Sequence, residues 1–453
     1  MPFPKYIPPS ASLLFIGMVA LGCGDPTGVR NHLQISGSPD TADGDWISVT
    51  VGYVSACGID RLGDVWCWGS NFTGWLGTEH RSYAMIPPSR VMGFSSLRLR
   101  RIVAGIRFQC ALAADGQAFC WGENTQGQLG RGHVSTLEPA PAPVAGGIRF
   151  ESLSAGSFHV CGVSITGTAY CWGNASGGAL GIGSALTRCD DTGHSACNVP
   201  TPMEVAGGLT FTEVSAGRHH TCGVTATADA YCWGDGSSGQ LGIDDPALEC
   251  GYFGNHVPCF RYEPLRVSGD LQFKQVAAAA IHSCGITTGG AAYCWGLATR
   301  DSAIGAAALG NAAYSGHGAG SARGSRIPVP VAGGRVFRAI SAGNGVSCGL
   351  TTDSRAMCWG SNNHGQLGIG HGLEPRFSTF PRDVVMPAAE FPPALGEDAN
   401  GCTLTTLGRI FCWGGNNFFG ELGSLPMSEP LRRLCFRGIP TPLGASDSAA
   451  PCW

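Results

Sequence analysis

Apolar positions along this chain fall in short β-branched and aromatic runs separated by turn residues. One stretch reads Phe150-Glu151-Ser152-Leu153-Ser154-Ala155-Gly156-Ser157-Phe158-His159-Val160-Cys161-Gly162-Val163, then Ser164-Ile165-Thr166-Gly167-Thr168-Ala169-Tyr170-Cys171-Trp172-Gly173. That pattern predicts strands joined by hairpins. If Cys161 faces Cys171, Ser164 faces Thr168, and Ile165-Thr166-Gly167 is the loop. A three-residue hairpin loop ends in a left-handed residue, for which glycine is best suited. Glycine holds the equivalent place at Gly63, Gly116, Gly167, Gly290 and Gly408, whereas Ala228 and Ser354 replace it in two copies. Residues directly opposed across a hairpin have Cα atoms about 4.5 to 5.5 Å apart, within reach of a disulfide. Adjacent strand residues point to opposite faces. The cysteine therefore looks one way and the neighbouring tryptophan the other, so both faces of each sheet are expected to be covered.

The same pattern occurs seven times, as two cysteines ten apart, the second opening Cys-Trp-Gly. The pairs are Cys57 with Cys67, Cys110 with Cys120, Cys161 with Cys171, Cys222 with Cys232, Cys284 with Cys294, Cys348 with Cys358 and Cys402 with Cys412. Successive first cysteines lie 53, 51, 61, 62, 64 and 54 residues apart. A period of that length marks a repeat architecture. A second signature follows the tryptophan, as in Asn124-Thr125-Gln126-Gly127-Gln128-Leu129-Gly130, and then a proline-bearing strand such as Val329-Pro330-Val331. Proline suits a sheet edge. Each copy thus supplies about four short strands, the content of one propeller blade.

Composition adds the compartment. The 21 cysteines comprise the seven pairs, three further local pairs (Cys189 with Cys197, Cys250 with Cys259, Cys435 with Cys452) and Cys23. Such a locally paired set predicts disulfides. No C-x-x-C is present, and no copy brings four zinc ligands together. The N-terminus carries one charge, Lys5, and an apolar run from Ala11 to Gly22, too short to span a bilayer. It ends at Ala20-Leu21-Gly22-Cys23, similar to a bacterial lipoprotein signal in which the cysteine is lipidated, although Ala20 stands where leucine is usual. The expected organisation is a signal peptide over 1–22, a flexible tether over 23–45, a propeller over 46–443 and a C-terminal tail over 444–453 stapled by Cys452. The expected location is the cell envelope by a lipid anchor, or secretion if Cys23 carries no lipid. With 28 Lys+Arg against 32 Asp+Glu, the chain has no basic footprint for nucleic acid.

These residues resemble the regulator of chromosome condensation repeat. Val214-Ser215-Ala216-Gly217-Arg218-His219-His220 matches its first hallmark, and Trp121-Gly122-Glu123-Asn124-Thr125-Gln126-Gly127-Gln128-Leu129-Gly130 its second. The resemblance covers roughly residues 46 to 443 and implies an all-β, seven-bladed β-propeller. Cysteine at strand positions that are aliphatic in the family is a departure that fits an oxidising compartment. In the fifth copy Leu297-Ala298-Thr299-Arg300 replaces the usual turn, and the seventh lacks the Ala-Gly-x-x-His pattern. The founder's action on a nuclear GTPase and chromatin does not carry over to an exported chain. A secreted member that inhibits β-lactamase shows that the loop face of such a scaffold can bind an enzyme.

Repeated residues are explained by the fold. The seven tryptophans read as inter-blade core, and His159, His220 and His282 as structural residues hydrogen-bonded to a turn. The variable positions point to recognition. Two residues follow each Ala-Gly in a tight turn, and on a propeller these turns ring one end of the central channel. Candidate binding residues are Tyr53, Val54, Ile106, Arg107, Ser157, Phe158, Arg218, His219, Ile281, Asn344 and Asp398. Tyr53, Arg107, Phe158, Arg218 and His219 are expected to form one arc, rich in the aromatic and arginine side chains that anchor interfaces. A second variable region holds the long loops carrying Cys189–Cys197 and Cys250–Cys259, and a Gly/Ala-rich stretch from Ala306 to Gly324. No catalytic, phosphate-binding or calcium motif is present, and no cofactor or metal is implied. The leading reading is an exported, monomeric binding module for an unidentified protein partner. A carbohydrate-active enzyme with its site at the channel mouth, and a structural or adhesion protein, stand as alternatives.

Overall fold

A computed structural model describes residues 46–78, 85–94, 97–183, 197–244, 259–297, 309–311, 324–370, 375–396, 400–414 and 441–442. The signal and tether, Cys23, Cys189, Cys250, Asp398, Cys435 and the tail with Cys452 lie outside the described residues. The rest forms seven four-stranded antiparallel sheets, each made of four consecutive strands. The blades span 46–90, 99–143, 150–204, 211–266, 273–330, 337–383 and 394–442. Since each sheet uses consecutive strands, none among the described residues is borrowed from the other end of the chain to close the ring. Blade seven meets blade one through side chains. Trp46, Val51, Ala56 and Trp68 share a core cluster with Cys402, Leu404, Ile410 and Cys412, and the Trp46 N–H donates to the Gly408 carbonyl at 3.1 Å.

The hairpin register follows from the cysteine spacing. Cys161 faces Cys171, Ser164 N–H bonds the Thr168 carbonyl at 2.8 Å, and Gly167 closes the loop at φ 86°. The two copies without glycine keep the same backbone, with Ala228 at φ 64° and Ser354 at φ 63°. All seven hairpin disulfides are formed as the spacing predicts. Cys57 joins Cys67, Cys110 joins Cys120, Cys161 joins Cys171 and Cys222 joins Cys232. Cys284 joins Cys294, Cys348 joins Cys358 and Cys402 joins Cys412. Their Cα atoms lie 4.0 to 4.1 Å apart. Cys197 and Cys259 are also disulfide-bonded.

Adjacent blades lock through the two signatures. The indole N–H of one blade's tryptophan donates to a backbone carbonyl in the preceding blade's turn: Trp172 to Gln128 at 3.0 Å, Trp233 to Ala179 at 3.0 Å, Trp295 to Gln240 at 2.9 Å and Trp413 to Gln366 at 2.9 Å. The glycine of Leu-Gly is required by that approach, for a Cβ on Gly130 would stand 2.8 Å from the Trp172 indole nitrogen. The motif asparagine is buried and holds the same turn, its Oδ1 accepting the Leu129 N–H from Asn124 at 3.1 Å and the Leu367 N–H from Asn362 at 3.1 Å. In the fifth blade the turn is rebuilt, yet Leu309-Gly310 from the Gly/Ala-rich stretch recovers the contact. Leu309 is fully buried, and a Cβ on Gly310 would lie 2.9 Å from the Trp359 indole nitrogen.

The three histidines do not bond a turn. Each crosses to the next blade: His159 Nε2 meets Thr221 Oγ1 at 2.9 Å, His220 meets Ser283 Oγ at 2.8 Å, and His282 meets Ser347 Oγ at 2.9 Å. Thr221 and Ser283 give their own protons to the carbonyls of Ala179 and Gln240. Their oxygens therefore accept, and His159 and His220 carry the proton on Nε2.

Candidate functional site

The innermost strand of each blade runs into a glycine in six blades, Gly52, Gly105, Gly156, Gly217, Gly343 and Gly396, and into Ala279 in the fifth. Neighbouring backbones touch here. A Cβ on Gly156 would stand 2.1 Å from the Gly217 carbonyl oxygen, and one on Gly396 would stand 2.6 Å from that of Gly52. Among the described residues, three backbone bonds stitch the collar from blade to blade: Ile106 N–H to Ser157 O at 3.1 Å, Ser157 N–H to Gly217 O at 3.3 Å, and Arg218 N–H to Ala279 O at 3.0 Å. The collar surrounds a space open at its mouth, with walls that include Ala104, Ala155, Ala216, Ala278 and Ala342.

The turns that follow divide into two circles. Tyr53, Ile106, Ser157, Arg218 and Asn344, the first residue of each pair, line the channel mouth. The second residue sits outside them, because its carbonyl is held by its own blade's third strand. Ser70 N–H bonds Val54 O, Glu123 N–H bonds Arg107 O, Asn174 N–H bonds Phe158 O, and Asp235 N–H bonds His219 O, at 2.8 to 3.0 Å. Ile281 is half-buried in this outer circle. The arc is thus two tiers, with Tyr53 and Arg218 at the mouth and Arg107, Phe158 and His219 behind. Val54 and Ser157 are buried and offer no contact surface, whereas Tyr53, Arg107, Arg218, His219 and Asn344 are exposed. Arg107 takes the left-handed φ of 60°, where Gly345 stands at φ 71° in blade six. Its guanidinium lies 5.6 Å from the Trp75 ring centroid and 3.7 Å from Glu123, contacts that hold a backbone unfavourable by about 1 kcal/mol.

Aligning the copies by their inner strands exposes a belt that the cysteine-centred reading missed. Two places after the buried aromatic or leucine that opens the strand stand Ser48, Arg101, Ser152, Glu213 and Gln275. Three accept an N–H from the following blade's inner strand: Ser48 from Ile102 at 3.4 Å, Glu213 from Val276 at 3.1 Å, and Gln275 from Ile340 at 2.9 Å. Ser154 and Ser215, two residues on, do likewise for Ala216 and Ala278. Arg101 and Glu213 are two blades apart and act on one another's charge. Burial raises the pKa of Glu213 to about 7. Among the described residues no group of three or more His, Cys, Asp or Glu forms a metal-binding cluster.

Two sequence families described as "Regulator of chromosome condensation (RCC1) repeat" match, one at residues 100–128, 150–178, 211–240 and 337–366, the other at 115–163 and 166–224. The Ultraviolet-B receptor UVR8 of Arabidopsis thaliana is 28% identical over 80% of this chain and 75% of its own length. The human E3 ubiquitin-protein ligase HERC2 is 26% identical over 80% of this chain, which spans only 7% of that protein. Human WBSCR16 superposes with a TM-score of 0.63 at 20% identity, covering 78% of this chain and 85% of its own. Prp20p of Saccharomyces cerevisiae, described with its binding properties to Gsp1p and histones, gives 0.61 at 19%, covering 78% and 80%. Matched repeats, seven sheets and the interlocking tryptophan and Leu-Gly turns converge: this chain is a seven-bladed β-propeller that carries regulator of chromosome condensation repeats within residues 100–240 and 337–366.

Proposed function

We propose that the chain is a binding module that engages a protein partner outside the cytosol through the turn ring at the glycine-collar end of its channel. The division of labour between positions carries this reading. The repeated polar residues of the two signatures are buried, the asparagines bonded within their own turn and the histidines to the next blade, so the side chains that vary from copy to copy and face solvent are left to discriminate. At the mouth these are Tyr53, Arg218 and Asn344, backed by Arg107 and His219, a set with the aromatic and arginine character of interface anchors. Protein binding is also what is described for the yeast propeller of the same fold. Export is supported by the seven hairpin disulfides, which reducing compartments do not maintain. Anchoring through a lipid on Cys23 belongs to the same proposal, and intact mass of the membrane-extracted protein tests it.

The binding face is tested by cross-linking and affinity capture from envelope fractions, comparing wild type with Arg218→Ala and Tyr53→Ala. Each variant should retain the wild-type melting temperature and weaken capture of the same partner by about 1 kcal/mol or more. A partner captured equally by all three proteins moves the binding face away from the ring.

A further inference from the structure

The chain contains two Asn-Gly dipeptides, Asn344-Gly345 and Asn400-Gly401, and the fold treats them in opposite ways. An asparagine followed by glycine can modify itself, because the next residue's backbone nitrogen can reach the asparagine Cγ. A Cβ on that next residue would crowd the approach, and glycine has none. Local freedom to bring the two atoms together decides whether the reaction runs. Asn400 lacks that freedom. It is 1% exposed and lies with Gly401 in the strand Asn400–Leu404. Gly401 is paired to Leu395 on one side and Trp413 on the other, and Asn400 to Gly414.

Asn344 stands in the turn between the strands Phe337–Ala342 and Val346–Thr351. Its side chain is exposed, and it lines the channel mouth. The turn is pinned on either side, Gly343 N–H bonding Val346 O at 2.9 Å and Ser361 N–H bonding Gly345 O at 2.8 Å. Among the described residues the Gly345 N–H donates to nothing, so its nitrogen breaks no bond in turning on Asn344. Gly345 takes the left-handed φ of 71°, which glycine adopts without steric cost. The backbone of this turn thus favours the one residue that leaves the attack open.

We propose that Asn344-Gly345 is a self-modification site that replaces an amide at the channel mouth with a carboxylate. The Gly345 nitrogen bonds to Asn344 Cγ, and the bond from Cγ to the side-chain nitrogen breaks. Ammonia leaves, taking up the proton that the Gly345 nitrogen carried. Water then opens the cyclic imide at either carbonyl, giving aspartate or isoaspartate. Water enters, ammonia departs, and nothing is oxidised or reduced. The nitrogen must shed its proton to attack, so the reaction quickens as pH rises. Arg218 is the one charged side chain among the described residues lining the mouth, so a carboxylate at position 344 cancels its charge there. In isoaspartate the main chain runs through the side-chain carbon, which lengthens a turn pinned on both sides. Any effect on a partner rests on the ring being the binding face proposed above, whereas the modification itself does not.

The test incubates the full folded chain in heavy-oxygen water at pH 6 and pH 8, then maps its peptides by mass spectrometry that separates isoaspartate from aspartate. Product at position 344 should contain isoaspartate, carry solvent oxygen and form faster at pH 8. It should exceed product at position 400 by about tenfold or more, since Asn400 reacts only when its strand opens. In denaturant the two dipeptides should react at comparable rates, which assigns the difference to the fold. Equal product at both positions in the folded chain, no isoaspartate at position 344, no rise with pH, or a difference that persists in denaturant overturns the proposal. Each of these readouts is independent of any partner, so the proposed binding face can fail without this inference failing.

Discussion

A histidine sealed between two blades cannot take up a proton without losing the environment that holds it. Burial pulls His159 and His220 down to about 3 and His282 to about 4, from an ordinary value of 6.5. Above pH 6.5 both folded and unfolded chains hold these rings neutral, and the full stability is present. Below it the unfolded chain gains protons that the folded one refuses, so stability falls until pH reaches the folded values. The loss is about 2 kcal/mol per histidine between pH 7 and pH 5. Glu213 works in the opposite sense, since its raised pKa favours the folded state as pH falls from 7, and it offsets about one of the three. Urea unfolding at pH 7 and pH 5 should show that net loss. The double variant His220→Phe with Ser283→Val should lower it by about 2 kcal/mol. The double variant copies a pair already in the ring, for Phe108 stands in the histidine column and Val160 opposite it, both in one core cluster. Pairing of this kind explains why the column tolerates Phe108 and Val346, the latter followed across the interface by Gly401. Read one blade at a time, the histidines suggested a turn. Their partners lie about 60 residues further on, one place before the next blade's first cysteine, and only comparing two columns across successive copies brings them together.

The hairpin was the most legible element, because its evidence is local. A spacing of ten positions between cysteines leaves one register, and Gly167 marks the loop that closes it. The turn after Cys-Trp-Gly was legible as a turn, but its purpose, seating the next blade's tryptophan, needs the neighbour. That interlock predicts two costs of different origin. Trp172→Ala removes a fully buried side chain and its bond to Gln128, and should destabilise by about 3 to 5 kcal/mol. Gly156→Ala adds one methyl group, yet that carbon would meet the Gly217 carbonyl at 2.1 Å, so blades three and four must part. Thermal melts should place it well below a control substitution at Thr212, an exposed position in blade four. The two-tier turn ring was not legible, since the sequence assigns two residues to each turn without saying which one the third strand will hold.

Across the whole molecule, seven small cores replace one large one, each shared by the disulfide face of one blade and the tryptophan face of the next. Cys110 and Cys120 lie in the same cluster as Trp172, Cys222 and Cys232 in that of Trp295, and Cys284 and Cys294 in that of Trp359. Stability is then close to a sum of nearest-neighbour terms. The outermost strands carry the exposed sheet edges, and prolines such as Pro139, Pro141 and Pro143 remove donors from one of them. The closing contact differs in kind from the other six, because Trp46 must find Gly408 from the opposite end of the propeller. This separation shapes the order of events as the chain emerges. Each hairpin can oxidise as soon as both its cysteines are clear, with no competing thiol nearer, so correct pairing asks little of an isomerase. Each blade can then stack on the one before it. The search across roughly 360 residues comes last, and loop-closure entropy makes it the slow step. A chain halted before blade seven would have six correctly oxidised hairpins, yet remain an open arc with the Trp46 face bare.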